Sequence, residues 1–541
     1  MFRNKNKKIK EKLLSEFGNL KEGSFDFQFI ESYFRKKDQS AAFQTLSDKT
    51  CNDLDFQELF MFVDRTNSKL GQQFLYNRLR NIPLNSTTNV REEKLLDEFT
   101  TNSDFRVTVQ RLLSKLKATE VYSIASLFQD ETLKPPTWYF IVPLLTFASV
   151  LSLILAFFNP VYLFVLLGLY AINIFIHFSN KKNLNNYFSS LPQLSKLNVV
   201  AQELFKNDIF KEINPELLRS TNVIHKVSNR MSFFNLEVEM QTDQRIVFWA
   251  LMEFVKIMFL IEPLFLFGVL KRIDTHRTEI EDVFLFVGEI DALVSIASLR
   301  NGLKNFCIPI IIDGQKKLVA QDVYHPLIEN CVKNNLQVNE KSILLTGSNM
   351  SGKTSFIRTI AINVITGLTI NTCFAEQFTL PGMRVFSAIR ISDDLMNDRS
   401  YYFEEVITIK EMIEKSKDEY FNLFLLDEMF KGTNTVERIS AGKAVLSSLN
   451  EDNNIVFVST HDVELADLLK KEYDLYHFSE IVDHKTVDFD YKLKEGKLKN
   501  RNAIRILQLN DYPESIIKEA MELSKELDKM NVANMELSDL K

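Results

Sequence analysis

At 541 residues the chain is longer than one hydrophobic core serves, so it should divide into roughly three or four units. Its composition, 45% apolar and 25% charged, is that of folded protein, and the net charge of −6 excludes a global attraction to nucleic acid, so any such contact needs a local basic surface. Cys51, Cys307, Cys331 and Cys373 form no C-x-x-C pair, which argues against a zinc ribbon or a disulfide framework and reads as small buried hydrophobes in a reducing compartment.

Residues 1–24 form a basic segment (Arg3, Lys5, Lys7, Lys8, Lys10, Lys12) with amphipathic rather than continuous apolar patterning, so no cleavable signal is expected. It is either a solvated helix or a patch drawn to an anionic membrane surface. Residues 25–133 repeat apolar positions at three- and four-residue spacing, as in Leu59, Phe62 and Val63, then Leu70, Phe74 and Leu75, which predicts a helical scaffold.

Texture changes abruptly across residues 134–182. Between Lys134 and Lys181 there is no Asp, Glu, Lys or Arg, and the only histidine is His177. Two apolar runs, 138–158 and 161–178, flank the turn at Asn159-Pro160. At 1.5 Å per residue each reaches about 27–32 Å, enough for a hydrocarbon core. Trp138 and Tyr139 sit at one edge, and Lys134, Lys181 and Lys182 flank the open ends. These features predict a transmembrane helical hairpin with both ends in the cytoplasm.

Helical patterning returns over residues 183–304. A further apolar stretch, 246–270, carries Glu253, Lys256 and Glu262 and is broken at Pro263. Each charge costs about 2.5–3.5 kcal/mol at mid-bilayer, so the stretch is expected to be buried core helix, with a membrane-surface segment as the alternative. Residues 305–510 alternate short β-rich runs (308–312, 343–346, 421–426, 455–459) with helical segments, the mark of an α/β nucleotide-binding domain with a largely parallel sheet. Residues 511–541 read as a helical tail.

The chemistry-bearing residues cluster in that domain. After the run 342–346 comes Gly347-Ser348-Asn349-Met350-Ser351-Gly352-Lys353-Thr354, followed by a helical segment from Ser355. G-x-x-x-x-G-K-T between a strand and a helix is the P-loop pattern: backbone N–H groups, including that of Ser355, point at phosphate oxygens, while Lys353 reaches the terminal phosphates and the Thr354 hydroxyl meets Mg²⁺. The apolar run 421–426 ends in Asp427 and Glu428. ATP hydrolysis needs one carboxylate for the metal and another for the attacking water, so Asp427 suits the metal role and Glu428 the water role. The run 455–459 ends near His461, which at that place can donate to the γ-phosphate or the water.

These motifs carry a family resemblance. GSNMSGKT, LLDEMFKGTNTVER (425–438) and STHDVEL (459–465) resemble the ATPase domain of the MutS family of DNA mismatch-repair proteins, as do YHPLI (324–328) and the region 491–520. ISDDLMNDRSYYFEE (391–405) resembles the signature loop that one subunit of that family presents to its partner's nucleotide. Upstream, LFMFVDRTNSKLGQQFLYNRLRNIPL (59–84) resembles the family's helical core or lever, and LPQLSKL (191–197) the point where that core resumes. Ser348 and Ser351 stand where the family prefers Pro and Gly, and Tyr401-Tyr402 replaces Thr-Phe.

The resemblance implies an α plus α/β fold, a helical core or lever followed by an ABC-type P-loop ATPase domain, and the two-helix hairpin read from hydropathy interrupts that core. It implies ATP and Mg²⁺ as ligands and a homodimer in which Ser400 reaches the partner's γ-phosphate. The mismatch-sensing and clamp domains of the family find no counterpart, and Phe29-Ile30-Glu31, although it matches the family's Phe-x-Glu wedge, is one of several such tripeptides in a chain with 45 phenylalanines. The expected protein is therefore a multi-pass ATPase of the cytoplasmic membrane with its nucleotide domain in the cytoplasm. Its lever acts either on DNA, gripped without mismatch preference through residues such as Lys494, Lys497, Lys499, Arg501 and Arg505, or on a protein or membrane partner. A transporter is a third reading, for which two spans without a carboxylate or arginine make a poor substrate path.

Overall fold

The computed structural model describes residues 2–84, 90–131, 136–229, 246–348, 351–390, 401–451, 453–482, 487–498 and, in part, 504–526. They form two units: Met1–Ser40 with Val63–Arg78 and Asn89–Leu303, and Ala41–Phe62 with Leu79–Thr88 and Lys304–Lys541.

In the first unit, five helices matter for function: α1 (Ile141–Ala156), α2 (Tyr162–Phe205), α3 (Ile246–Met258), α4 (Ile261–Thr275) and α5 (Arg277–Gly302). Helix α5 is the core, buried almost all round from Ile290 to Arg300. Its Asp291 carboxylate accepts hydrogen bonds from the backbone N–H groups of Asn67 (2.8 Å) and Ser68 (2.7 Å), donors that open the next helix and have no partner within it. Gly71 sits so close that a Cβ there would lie 2.2 Å from an Asp291 oxygen, which is why this helical position tolerates only glycine.

The apolar run 161–178 does not end as a separate span. Helix α2 continues unbroken for 44 residues, because nothing between 179 and 205 stops it and the single Pro192 is absorbed within it. Its last turns bury Leu191, Leu194, Leu197, Val200, Ala201 and Leu204 at helical spacing. Among the described residues one helix, Thr137–Ala156, is long and apolar enough to cross a membrane; the apolar part of α2, Tyr162–Phe178, is shorter. The break in the stretch 246–270 falls at Leu260, in the left-handed conformation (φ 50°), rather than at Pro263. Pro263 lies in the first turn of α4, where a missing N–H costs nothing.

Two larger sheets dominate the second unit, beside two short two-stranded ones at 44–45 with 81–82 and 480–482 with 487–489. Strands β1 (Ile310–Ile312), β2 (Leu318–Val323), β3 (Asn334–Val338) and β5 (Gln377–Pro381) make a mixed four-stranded sheet in the order β1-β5-β2-β3. Strands β4 (Ser342–Thr346), β6 (Met383–Ala388), β7 (Phe421–Asp427), β8 (Asn454–Thr460), β9 (Tyr473–His477) and β10 (Lys494–Glu495) make the other, in the order β10-β9-β4-β8-β7-β6. All its pairings are parallel except β9 with β10. Strands β4 and β8 are buried throughout, as a sheet covered on both faces requires.

Residues 41–62 and 79–88, which the sequence reading assigned to the first helical region, join this unit for a physical reason. The Gln44 amide both donates to the Val385 carbonyl and accepts from the Val385 N–H (2.7 Å each), capping the open edge strand β6. The buried Asp53 carboxylate accepts from the Ser387 hydroxyl (2.6 Å) and the N–H groups of Ile389 (3.0 Å) and Arg390 (2.8 Å). Two of the cysteines, Cys51 and Cys373, are buried; Cys307 and Cys331 are half-buried.

Candidate nucleotide site

Parallel strands β4, β7 and β8 end side by side, so whatever follows each of them converges at one edge of the sheet. After β4 the chain turns through Gly347 and Ser348 and enters helix α6 (Lys353–Ile370) at Gly352, whose φ of +102° is accessible to glycine at little strain. The first N–H groups of α6 have no carbonyl within the helix to bond, and the helix dipole places partial positive charge there.

Lys353 is almost fully buried and donates to the carbonyls of Gly347 and Ser348, at 2.9 Å each. Burial lowers its pKa, against which the charges of Glu428 and Asp427 work. Ser351 donates to the Ser348 carbonyl (2.8 Å), and Ser348 donates to the Glu480 carboxylate (2.6 Å), so the two serines that depart from the family pattern tie the loop together. Thr354 Oγ1 donates to Asp427 Oδ2 at 2.8 Å, and the Ser459 hydroxyl holds the other Asp427 oxygen.

Glu428, directly after β7, has a left-handed backbone (φ 50°), as does Phe430 (φ 58°). Such conformations cost about 1–3 kcal/mol each in non-glycine residues and persist only where surroundings hold them. The Glu428 N–H donates to the Ser459 carbonyl at 2.9 Å, and the Phe430 N–H to Glu405 Oε1 at 2.7 Å, from helix α7 (Tyr401–Lys415). His461 Nε2 lies 2.6 Å from one Glu428 oxygen, and Lys431 pairs with the other. Burial would raise the Glu428 carboxyl, but the hydrogen bonds and charges of His461 and Lys431 outweigh it and bring the pKa down to about 2. Asp462, next to His461, is clamped by Arg438 through two bonds of 2.9 and 2.7 Å.

A cavity of about 530 Å³ opens onto Ser351, Lys353, Thr354 and Glu428. Tyr324, Ile328 and Tyr491 also line it, with the Tyr491 ring 3.2 Å from where a Cβ on Gly352 would lie. This is the size of a small-molecule pocket, lined by apolar and aromatic side chains together with a buried cation at a helix N-terminus.

The arrangement brings together Gly347, Ser348, Ser351, Gly352, Lys353, Thr354, Ser355, Asp427, Glu428 and His461. Asn349, Met350 and Ser400 lie outside the described residues. Sequence reasoning singled out neither Glu480, Lys431, Glu405 nor Tyr491 as site residues: the last three lie inside the quoted motifs without a role assigned to them, and Glu480 lies outside every motif. Among the described residues no cluster of three His, Cys, Asp or Glu could hold a metal. One carboxylate and one hydroxyl, Asp427 and Thr354, nevertheless suit Mg²⁺, which keeps waters and shares its coordination with phosphates.

A family model described as MutS domain V matches residues 343–528. The chain is 28% identical over 279 residues to the DNA mismatch repair protein MSH3 of Saccharomyces cerevisiae (strain YJM789), covering 49% of this chain and 27% of that protein. It is 30% identical over 260 residues to the DNA mismatch repair protein MutS of Listeria welshimeri, covering 45% and 29%. With the DNA mismatch repair protein MutS of Aquifex pyrophilus it shares 28% identity over 252 residues, 45% of this chain and 29% of the relative. The match therefore spans less than a third of the length of each of these relatives.

Proposed function

Since the chain belongs to the MutS family, we propose that it is an ATP hydrolase whose nucleotide cycle drives a switch between two copies of the chain at a lipid bilayer. The observation that carries this reading is the convergence of Lys353, Thr354 and Glu428 on one cavity, with Asp427 bonded to Thr354. The adenine ring fits the wall of Tyr324, Ile328 and Tyr491, and the phosphates fit the loop and the first turn of α6. Mg²⁺, when bound, supplies charge neutralisation between the terminal phosphates, and Thr354 and Asp427 would hold it.

Both Glu428 oxygens are engaged, by His461 and Lys431, and a carboxylate so paired has no free oxygen to take a proton. Accepting a proton from water thus requires Lys431 or His461 to move off, which couples hydrolysis to the conformation of the loop after β7. Ser400 completes the partner's site in trans, so that ATP binding closes the dimer and hydrolysis reopens it.

Membrane attachment is supported by the surface of α1 and the apolar half of α2. Phe147, Phe157, Phe158, Phe164, Leu167 and Phe175 are all exposed, Phe157 at 86% and Phe158 at 83%. Monomeric soluble surfaces rarely carry so continuous an apolar band. On this reading the membrane is the cytoplasmic one and the nucleotide unit lies in the cytoplasm. DNA, if it is the ligand, is gripped through its phosphates by local basic residues, with strong salt dependence and no preference for a mismatch. The second reading, a switch for a protein or membrane partner without DNA, is favoured by the net charge of −6.

Glu428→Ala should abolish ATP turnover while nucleotide binding survives. Absence of turnover in the parent protein would refute the enzyme reading. Recovery of the intact chain as freely soluble, with deletion of residues 137–179 making no difference to fractionation, would refute the anchor.

A further inference from the structure

The described parts of helices α3 and α4, 13 and 15 residues or about 20–22 Å, pack on α2 and on α1 respectively. The corner between them exposes backbone carbonyls that an apolar setting would leave unpaired, and two of these are met by side chains of the apolar hairpin. Asn173 Nδ2 donates to the Met258 carbonyl (2.7 Å), and Thr146 Oγ1 to the Phe259 carbonyl (3.0 Å). Further along, the Tyr139 hydroxyl donates to the Leu264 carbonyl (3.1 Å), so α4 descends beside α1 toward its Thr137 end.

The charges that argued against membrane contact are turned inward. Lys256 Nζ lies 3.3 Å from Glu253 and 3.0 Å from Glu262, and His177 lies 3.3 Å from Glu253 and 3.6 Å from Glu262. Two carboxylates thus face one ammonium and one imidazole in a closed ring, with Lys256, Glu262 and His177 almost fully buried. Pairing of this kind is what allows ionisable groups to exist at membrane depth. On the outside of α3, Leu251 (59%) and Phe254 (42%) are exposed, and Phe254 packs its ring on Tyr170 of α2, centroids 4.8 Å apart. The exposed band of the hairpin therefore continues onto α3.

The flanking helices, Leu217–Asn229 and α5, are tied to each other in the helical core, where the Ser220 hydroxyl donates to Asp282 at 2.8 Å. Helix α4 leads directly into α5, so the corner returns to that core along α4. We propose that residues 246–275 form a re-entrant helical corner in the near leaflet, with Leu251 and Phe254 in contact with lipid acyl chains. This rests on the bilayer reading of α1 and α2 and adds a second segment of the chain to the membrane.

The test is photocrosslinking in the full-length chain reconstituted in phosphatidylcholine vesicles, with benzoylphenylalanine replacing Phe254 or, separately, Leu251. Phe157 in the hairpin turn serves as the bilayer reference and Leu468, exposed on the helix Val463–Leu469 of the second unit, as the water reference. The expected result is lipid adduct at Phe254 and Leu251 comparable to that at Phe157 and at least about tenfold above Leu468, because water is excluded from the hydrocarbon. Lipid adduct at Phe157, with only chain-to-chain adducts or none at both α3 positions, would overturn the re-entrant corner and leave the anchor standing. Absence of lipid adduct at Phe157 as well would overturn both.

Discussion

Glu405 is the residue through which helix α7 holds the turn after β7. Its side chain is almost fully buried, burial raises its pKa against the opposing Phe430 N–H, and that N–H is its partner at 2.7 Å. Glu405→Ala leaves a buried N–H without an acceptor, at about 1–3 kcal/mol. That is comparable to the strain of the left-handed backbone at Glu428 and Phe430, so the turn should relax and carry Glu428 out of register. If the whole penalty reaches the transition state, kcat falls about 5- to 150-fold. The KM for ATP should hardly change, because Lys353 and Thr354 sit on a different element. Glu405→Gln keeps an oxygen acceptor and should retain most of the turnover. Steady-state ATPase kinetics with an independent nucleotide titration separate these effects. The reasoning is refuted if the Gln variant falls as far as the Ala variant, or if KM rises while kcat is kept.

Gly352→Ala puts a Cβ at φ +102°, 3.2 Å from the Tyr491 ring, and should weaken fluorescent ATP-analogue binding by at least about fivefold with the fold intact; unchanged affinity would contradict the loop geometry. Asp64 is fully buried; burial raises its carboxyl, but Lys21, Thr66 and Gln72 together hold it below the ordinary range. A depressed carboxyl contributes stability above its unfolded value of about 3.9, lost as pH falls through the folded value, so Asp64→Asn should flatten the acid-side drop in the urea midpoint. An unaltered pH dependence would show that this pairing contributes nothing.

The grouping of residues around Lys353 was legible because its signals are local: glycines, a lysine and a threonine at fixed spacing, and carboxylates at a strand end. What stayed hidden depends on long-range packing. Nothing near Gln44 or Asp53 announces that they cap β6 and the residues after it, since both are ordinary polar residues in a helical setting. Glu405 and Tyr491 likewise acquire meaning only once the strand order brings distant segments to one edge. In the stretch 246–270 the sequence shows Glu253, Lys256 and Glu262, but not that His177, on another helix about 80 residues away, lies beside both carboxylates.

The central claim is that phosphates gripped at Lys353 drive this chain, and ATP retention measures it directly. Full-length protein in detergent, gel-filtered with Mg²⁺ and labelled ATP, should retain nucleotide, and Lys353→Ala should cut retention by more than about tenfold, the worth of one charge-assisted bond or more. Failure of the parent chain to retain ATP, or equal retention by the variant, would contradict the account.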